Sequence, residues 1–180
     1  MACLDILLYP HPILRKKCKD VEEVNEDVTR LLDDMIETMF SARGLGLAAP
    51  QVGITSKVVV IDAGAEQGRG SEIVELINPR ITFKSEEKII TDEGCLSFPN
   101  IYADVERHRM VRFEALNRKG EHFLMEAEGL FAVAIQHEMD HLNGIVFIEH
   151  ISRLRQSMIK RKMRKMTKGH KLIRQVRRRA

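Results

Sequence analysis

Two histidines four positions apart are the residues of this sequence best suited to chemistry. Segment 136–141 reads Gln-His-Glu-Met-Asp-His and contains a His-Glu-x-x-His pattern. Residues four apart share one face of a helix, so the imidazoles of His137 and His141 can bind one metal ion. Glu138 is adjacent and can handle the proton of a reacting water. The spacing indicates metal-dependent hydrolysis, although two ordinary histidines on an amphipathic helix give the same pattern.

A hydrolytic metal site needs a third protein ligand and one position open to water. In one large class of zinc endopeptidases the third ligand is a histidine six positions after the second, where this chain has Phe147. Glu149 or His150 could still bind the ion, but no motif surrounds them. Cys95 is a better candidate, because a glycine before it and a proline after it set an unusual backbone path. A lone cysteine is, however, more often a small buried hydrophobe.

Three predicted helices surround or carry these residues: one contains the two histidines, and the others lie toward the two ends of the chain. Residues 130–142 form the predicted metal-binding helix, which Asn143-Gly144 ends. Apolar residues recur every three or four positions from Val28 to Phe40 and predict an N-terminal helix, capped by Asn25. The same spacing from Ile151 to Met166 predicts a C-terminal helix.

The middle of the chain alternates short apolar segments with turn residues, which is typical of strands. Segment 44–53 is predicted as a loop of small residues. Strands are predicted at 57–62, 73–77, 81–83, 88–91 and 101–105, and segments 110–116 and 121–127 form a predicted hairpin. We therefore expect an α+β fold of mainly antiparallel strands packed around a central metal-binding helix, with an N-terminal and a C-terminal helix.

The charge of the chain is unevenly distributed. Its net charge is +3, yet residues 150–180 contain 13 of the 29 basic residues and none of the 26 acidic ones. The preceding part, with 16 basic residues, therefore carries a net charge of −10. We expect a catalytic domain at 1–150 and a basic helix and tail at 151–180 that has a polyanionic partner, although solvated basic tails are common.

The composition also indicates the cellular compartment of the protein. The three cysteines are an odd number and indicate reduced thiols. No apolar run approaches the ~18 residues of a membrane span, and the N-terminus resembles no secretory signal. We expect a cytoplasmic protein, without membrane association and monomeric.

Three segments resemble, in order, the three motifs that mark the peptide deformylase family. Segment 44–51 reads Gly-Leu-Gly-Leu-Ala-Ala-Pro-Gln, segment 93–97 reads Glu-Gly-Cys-Leu-Ser, and segment 136–141 is the third motif. The similarity extends from Tyr9 to about Ile148. The resemblance implies removal of the formyl group from the N-terminal formylmethionine of new polypeptides, with release of formate.

The resemblance also implies the metal and its ligands. Cys95, His137 and His141 would hold one divalent ion, with iron(II) in the native enzyme and zinc, nickel or cobalt able to occupy the same ligands. Thiolate and imidazole ligands suit several such ions, so the sequence does not choose among them.

Three further roles follow from the resemblance. Glu138 takes a proton from water and delivers it to the leaving amine. The side-chain amide of Gln51 and the backbone N–H of Leu96 donate to the oxyanion. Gly46 brings a backbone group close to the substrate, where a Cβ would obstruct it.

A wall for the methionine side chain follows from helical spacing. Leu130, Val133, Ala134 and His137 lie at positions i, i+3, i+4 and i+7, which places three apolar side chains beside a ligand. Leu45 could close this wall. Simple core packing is the alternative, and it is the commoner meaning of such a stripe.

Two rival functions remain open on the sequence alone. A zinc endopeptidase would cleave internal peptide bonds and place its third ligand after His141. An RNA-binding or ribosome-associated protein with an inactive site would release no formate from a formylmethionyl peptide. A basic C-terminal helix would suit docking of the enzyme on ribosomal RNA.

Overall fold

The computed structural model describes residues 2–167, and this part of the chain contains three helices and seven strands. In chain order they are α1 (Glu26–Ser41), β1 (Gly46–Ala48), β2 (Val58–Asp62), β3 (Ile73–Lys84), β4 (Lys88–Cys95), β5 (Phe98–His108), β6 (Met110–Leu116), β7 (His122–Glu128), α2 (Gly129–Leu142) and α3 (Arg153–Thr167). Short 3-10 turns span Pro12–Arg15, Ala49–Val52 and Phe147–His150.

The strands form two antiparallel sheets. One sheet has five strands in the order β1-β2-β3-β6-β7, and the other pairs β4 with β5. Every pairing between these strands is antiparallel, including the predicted β6–β7 hairpin. The prediction of an α+β fold with mainly antiparallel strands is confirmed.

The strand β3 is continuous where the sequence predicted two strands. Its first half pairs with β2 and its second half with β6, and the register with β6 shifts between Ile77 and Arg80. Asn78 has a φ of 52° at this point, and Pro79 has no N–H to donate to a ladder. Asn-Pro therefore marks a bulge here and not a turn.

Two strands are longer than the sequence predicted, and one strand was not predicted. The strands β4 and β5 extend past the predicted segments 88–91 and 101–105, and β1 lies within the predicted loop 44–53. In β5 small buried residues such as Ala103 alternate with exposed charged ones such as Asp104, so the apolar signal is weak. The extension matters because it places Cys95 at the end of a strand.

Helix α1 forms as its sequence predicts. The side chain of Asn25 accepts hydrogen bonds from the N–H groups of Asp27 and Val28, which satisfies two otherwise unpaired donors at the helix start. Leu32 and Met39 are fully buried against the face of the larger sheet.

Helix α2 lies between the two sheets. Its buried residues occupy most of its circumference, as expected for a central helix. It packs on β1, β2, β6 and β7 of the larger sheet and on β5 of the smaller one. Gly144 ends the helix region with a φ of 72°, and a Cβ there would stand 2.6 Å from the backbone oxygen of Arg15. The residue at this stop must therefore be glycine.

Helix α3 is anchored to the body of the protein. Met163 is fully buried in a cluster with Tyr9 and Phe98, and Ile159 packs against the same cluster. The division into a domain at 1–150 and a separate segment at 151–180 stays a prediction, and the end of that segment lies outside the described residues. Among residues 2–167, no helix is both long enough and apolar enough to cross a membrane.

Candidate metal centre

A thiol and two imidazoles meet where β4 ends against α2. The ligand atoms of Cys95, His137 and His141 all lie within 4.8 Å of one another. The Sγ atom of Cys95 is 3.2 Å from Nε2 of His141. Because the histidines are four positions apart on α2, one helical face presents both rings to the strand end.

The environment of the two rings suits a cation. His137 and His141 are buried. Burial lowers the pKa of His137, but hydrogen bonding to Cys95 and Glu93 outweighs it and holds that pKa above its ordinary value. The negative groups around this ring therefore favour positive charge, and a metal ion would take the place of the proton. Burial, and then the neighbouring His137, hold the pKa of His141 well below its ordinary value, so that ring is neutral as a ligand must be.

Glu93 orients one of these rings. Its Oε2 lies 2.9 Å from Nδ1 of His137, so a proton on Nδ1 is donated to the carboxylate and the Nε2 lone pair is left for an ion. Burial raises the pKa of Glu93, but hydrogen bonds from His137 and Arg107 outweigh it and keep the pKa below its ordinary value. Sequence reasoning missed this residue. The signal was present, since Glu93 stands two positions before Cys95 and therefore on the same face of β4.

Arg107 and Asp140 belong to a buried ion-pair network. Arg107 donates to both carboxylate oxygens of Glu93, at 2.7 and 3.0 Å, and to Asp140 at 2.7 Å. The Arg107 side chain is only 5% exposed, so its ion pairs are buried and do not form a surface salt bridge. The network connects the outer side of α2 to the partner of His137.

The downstream candidates for a third ligand are engaged elsewhere. Glu149 pairs with Arg15 and accepts a hydrogen bond from the N–H of Val146 at 3.0 Å. His150 lies 2.7 Å from Asp140. Neither belongs to the group of ligand atoms around Cys95. The upstream thiol is therefore the third member of the cluster that the structure forms.

Two potential hydrogen-bond donors flank this cluster. Gln51 is buried in the turn after β1, and its Oε1 accepts from the N–H of Ala48 at 2.9 Å. That bond turns the Nε2 amide toward the metal centre, where it lies 3.3 Å from Oγ of Ser97 and 3.6 Å from Sγ of Cys95. Leu96 follows Cys95 directly in the turn between β4 and β5.

The carboxylate of Glu138 is enclosed beside the two rings. The residue is 4% exposed, and its Oε2 has no hydrogen-bond partner among the described residues. Burial raises the pKa of Glu138 to about 7. A carboxyl group with such a pKa can both accept and return a proton near neutral pH.

The family model for polypeptide deformylase matches residues 3–157, most of the chain. The chain belongs to the peptide deformylase family. It is 49% identical over 168 residues to a peptide deformylase of Alkalilimnicola ehrlichii, with 93% of each chain covered. It is 50% identical over 165 residues to peptide deformylase 1 of Ralstonia nicotianae, covering 92% of this chain and 96% of that one. A crystal structure of a Legionella pneumophila peptide deformylase superposes with a TM-score of 0.86 at 40% identity, covering 93% and 97%.

Family membership defines the reaction. The chain is a metal-dependent hydrolase that removes the N-formyl group from nascent peptides. This excludes both rivals, the endopeptidase and the binding protein with an inactive site. The family's chemistry uses a divalent metal, and the Cys95, His137 and His141 side chains fit one by position, burial and charge.

Only some of the residues predicted to form a wall for the methionine side chain line the same cavity. Leu45, Leu130 and Ala134 line a small cavity together with Phe131, the last residue of β2 and residues of the turn that follows it. Val133 is buried and lies outside the lining of that cavity. The assignment of these residues to the formylmethionine side chain stays a prediction.

Gly46 of the first deformylase motif lies against helix α2. A Cβ at this position would stand 2.5 Å from Oε1 of Glu138. The missing Cβ therefore leaves room for this carboxylate. The suggested approach of the Gly46 backbone to the substrate stays a prediction.

We expect Gly46→Ala to lower kcat roughly 10²-fold, because the added methyl group displaces the Glu138 carboxylate by about 1 Å from its position. Metal content should stay at the parent level, since no ligand is touched. Formate release and metal analysis on the same preparation measure the two effects. Parent activity in this variant would show that the carboxylate tolerates displacement.

Proposed function

We propose that the chain deformylates its substrate at the centre formed by Cys95, His137 and His141, with iron(II) as the native metal and zinc, nickel or cobalt as substitutes. The convergence of these three ligand atoms within 4.8 Å carries the proposal. A bound divalent ion supplies Lewis acidity, which lowers the pKa of water and polarises the formyl oxygen.

The proton is moved by Glu138. Its enclosed carboxylate accepts a proton from the attacking water and then delivers it to the amine that leaves. The pKa of about 7, raised by burial, supports this double role at neutral pH. Because the group is buried, bulk water does not compete for that proton.

The developing oxyanion is stabilised by donors already in place. We assign this role to the Nε2 amide of Gln51 and to the backbone N–H of Leu96. The bond from Ala48 to Oε1 of Gln51 supports the assignment, because it turns the Nε2 amide toward the centre, where it donates to Oγ of Ser97 and to Sγ of Cys95. A preorganised donor of this kind is worth about 3–4 kcal/mol of barrier.

The methionine side chain of the substrate is assigned to an apolar wall beside the metal. Leu130, Val133 and Ala134 form this wall beside the proposed ligand His137, and Leu45 closes it. Gly46 brings a backbone group close to the substrate. The shared cavity of Leu45, Leu130 and Ala134 supports the assignment.

One assay tests the proposal. The protein is purified anaerobically with iron or with nickel, and formate release from formyl-Met-Ala is measured beside metal analysis. We expect one metal ion per chain and formate release in proportion to metal content. Metal-loaded protein that releases no formate with either ion would contradict the assignment of the centre.

We further propose that the enzyme works in the cytoplasm as a monomer and meets its substrate at the ribosome through the basic C-terminal segment. Six basic residues on described turns of α3 are exposed: Arg153, Arg155, Arg161, Lys162, Arg164 and Lys165. Removing the whole segment would also uncover the core around Met163, so substitution of exposed charges is the cleaner test.

We expect neutralisation of four exposed charges on α3 to weaken ribosome binding and to flatten its salt dependence, because each lost phosphate contact reduces the log–log slope by roughly 0.7–0.9. The substitutions are to glutamine at Arg155, Arg161, Lys162 and Lys165. The measurement is co-sedimentation with ribosomes across salt concentrations. The control neutralises an equal number of exposed charges on the body, at Lys16, Lys17, Arg30 and Lys119. Equal binding by both variants would contradict the docking role.

A further inference from the structure

One carboxylate oxygen of Asp140, on helix α2, accepts hydrogen bonds from two nitrogens. Its Oδ2 is 2.7 Å from Nη1 of Arg107 and 2.7 Å from Nε2 of His150. An ionised carboxylate only accepts and a guanidinium only donates, so Nε2 of His150 must carry the proton of its short contact. The 3.3 Å separation between the Arg107 and His150 nitrogens is then the spacing of two donors that share one acceptor.

His150 reaches this oxygen from outside the metal site. It ends the turn Phe147–His150, and its side chain is 34% exposed. With Asp140 and Met139 it lines an open cavity of about 770 Å³ on the face of α2 opposite the two metal-binding histidines. The residue therefore touches neither the proposed ligands nor the apolar wall proposed for the substrate.

Arg107 joins His150 to the metal centre. The guanidinium is shared between two carboxylates, with Nε and Nη2 on Glu93 and Nη1 on Asp140. Glu93 in turn accepts from Nδ1 of His137 at 2.9 Å. Four consecutive contacts, each between 2.7 and 2.9 Å, thus run from His150 to a proposed metal ligand.

Arg107 and His150 compete for Oδ2 of Asp140, and this competition determines how strongly Arg107 binds Asp140 relative to Glu93. As long as His150 donates to Oδ2 of Asp140, that oxygen is only partly available to Arg107. Without the histidine donor, the full charge of Asp140 attracts Arg107, and the two bonds from Arg107 to Glu93 lengthen. Glu93 then holds the ring of His137 less firmly, because the carboxylate has lost part of its own support.

We propose that His150 is a positioning residue of the metal centre, which acts through Asp140, Arg107 and Glu93 on the orientation of His137. The inference rests on the proposed metal site. A residue that holds a ligand in place should affect how long the ion stays bound and the ligand field that the ion experiences. A residue that only packs should affect neither.

The test compares His150→Ala with His150→Gln in full-length protein loaded with cobalt(II). Glutamine can place an amide N–H near the position of Nε2, so it should restore the donor, whereas alanine cannot. His122→Ala is the matched control. Nε2 of His122 also lies near a carboxylate, 3.3 Å from Oε2 of Glu114, but His122 belongs to β7 and not to the chain of contacts that leads to His137. The measurements are the rate of cobalt loss to a chelator, the visible spectrum of the cobalt protein and the melting temperature of the metal-free protein.

We expect His150→Ala to lose cobalt about three- to tenfold faster, below the ~10–100-fold effect of removing a direct partner of a ligand. Its cobalt spectrum should shift, and the metal-free melting temperature should stay unchanged. The His150→Gln and His122→Ala variants should match the parent in all three.

Three results would overturn the proposal: parent behaviour in His150→Ala, equal acceleration in the alanine and glutamine variants, or acceleration that accompanies a lower metal-free melting temperature. Cys95→Ala separates this failure from failure of the metal site itself. If that variant kept cobalt as long as the parent, the site assignment would be wrong. If it lost cobalt and His150→Ala did not, only the role of His150 would be wrong.

Discussion

Glu138→Gln is expected to lower the rate of formate release about 10²–10⁴-fold, the usual contribution of a general acid–base group. Glutamine keeps the shape of the side chain but cannot take a proton from water and return it to the amine. The substitution leaves Cys95, His137 and His141 unchanged, so metal content should remain at the parent level. Formate release at saturating formyl-Met-Ala, normalised to bound metal, measures the effect.

Glu86→Gln is the control for this substitution, because Glu86 is exposed and lies in the turn between β3 and β4. It should retain parent activity. A Glu138→Gln enzyme that keeps its metal and more than a tenth of the parent rate would assign the proton transfer to another group.

Cys95→Ala is expected to weaken metal binding by more than 100-fold, because it removes a ligand itself, and loss of a ligand's supporting partner already costs ~10–100-fold. Activity should fall in parallel with metal content. Alanine is preferred to serine, whose hydroxyl could still bind an ion. Metal content after dialysis against a chelator is the primary measurement.

Cys3→Ala is the matched control, since Cys3 is an exposed free thiol remote from the cluster. It should bind one ion and react at the parent rate. Full metal occupancy in Cys95→Ala would mean that the two histidines bind the ion with some other third ligand, and the proposed centre would need to be redrawn.

The parts of the fold that the sequence predicted well are those determined by local signals. Helix α1 follows from apolar spacing and from the cap at Asn25, both of which act within a few residues. The hairpin of β6 and β7 follows from the turn at 117–120. In the site, His137 and His141 were predictable because helical geometry alone brings them together.

The features that the sequence did not predict depend on partners distant in the chain. The continuity of β3 through Asn78 is possible because its two halves pair with different neighbours, β2 and then β6. No local pattern encodes that exchange. The short strand β1 exists because Gly46 and its neighbours pair with β2.

The site shows the same division. Cys95 could be proposed from sequence only because the two histidines lacked a third ligand and the motif resembled a family. The contacts of Glu93 with Arg107, and of Asp140 with His150, join residues 10–14 positions apart through side chains alone. Such pairs become visible only when the register of β4 against β5 and the placement of α2 are known.

The proposed ligands come from two different layers of the molecule, and this has a consequence for dynamics. Cys95 ends a strand of the small sheet, whereas His137 and His141 belong to the helix that packs mainly on the large one. An ion held by all three would act as a cross-link between these layers. Loss of the ion and local opening of the β4–β5 hairpin would then be thermodynamically linked, so that each favours the other.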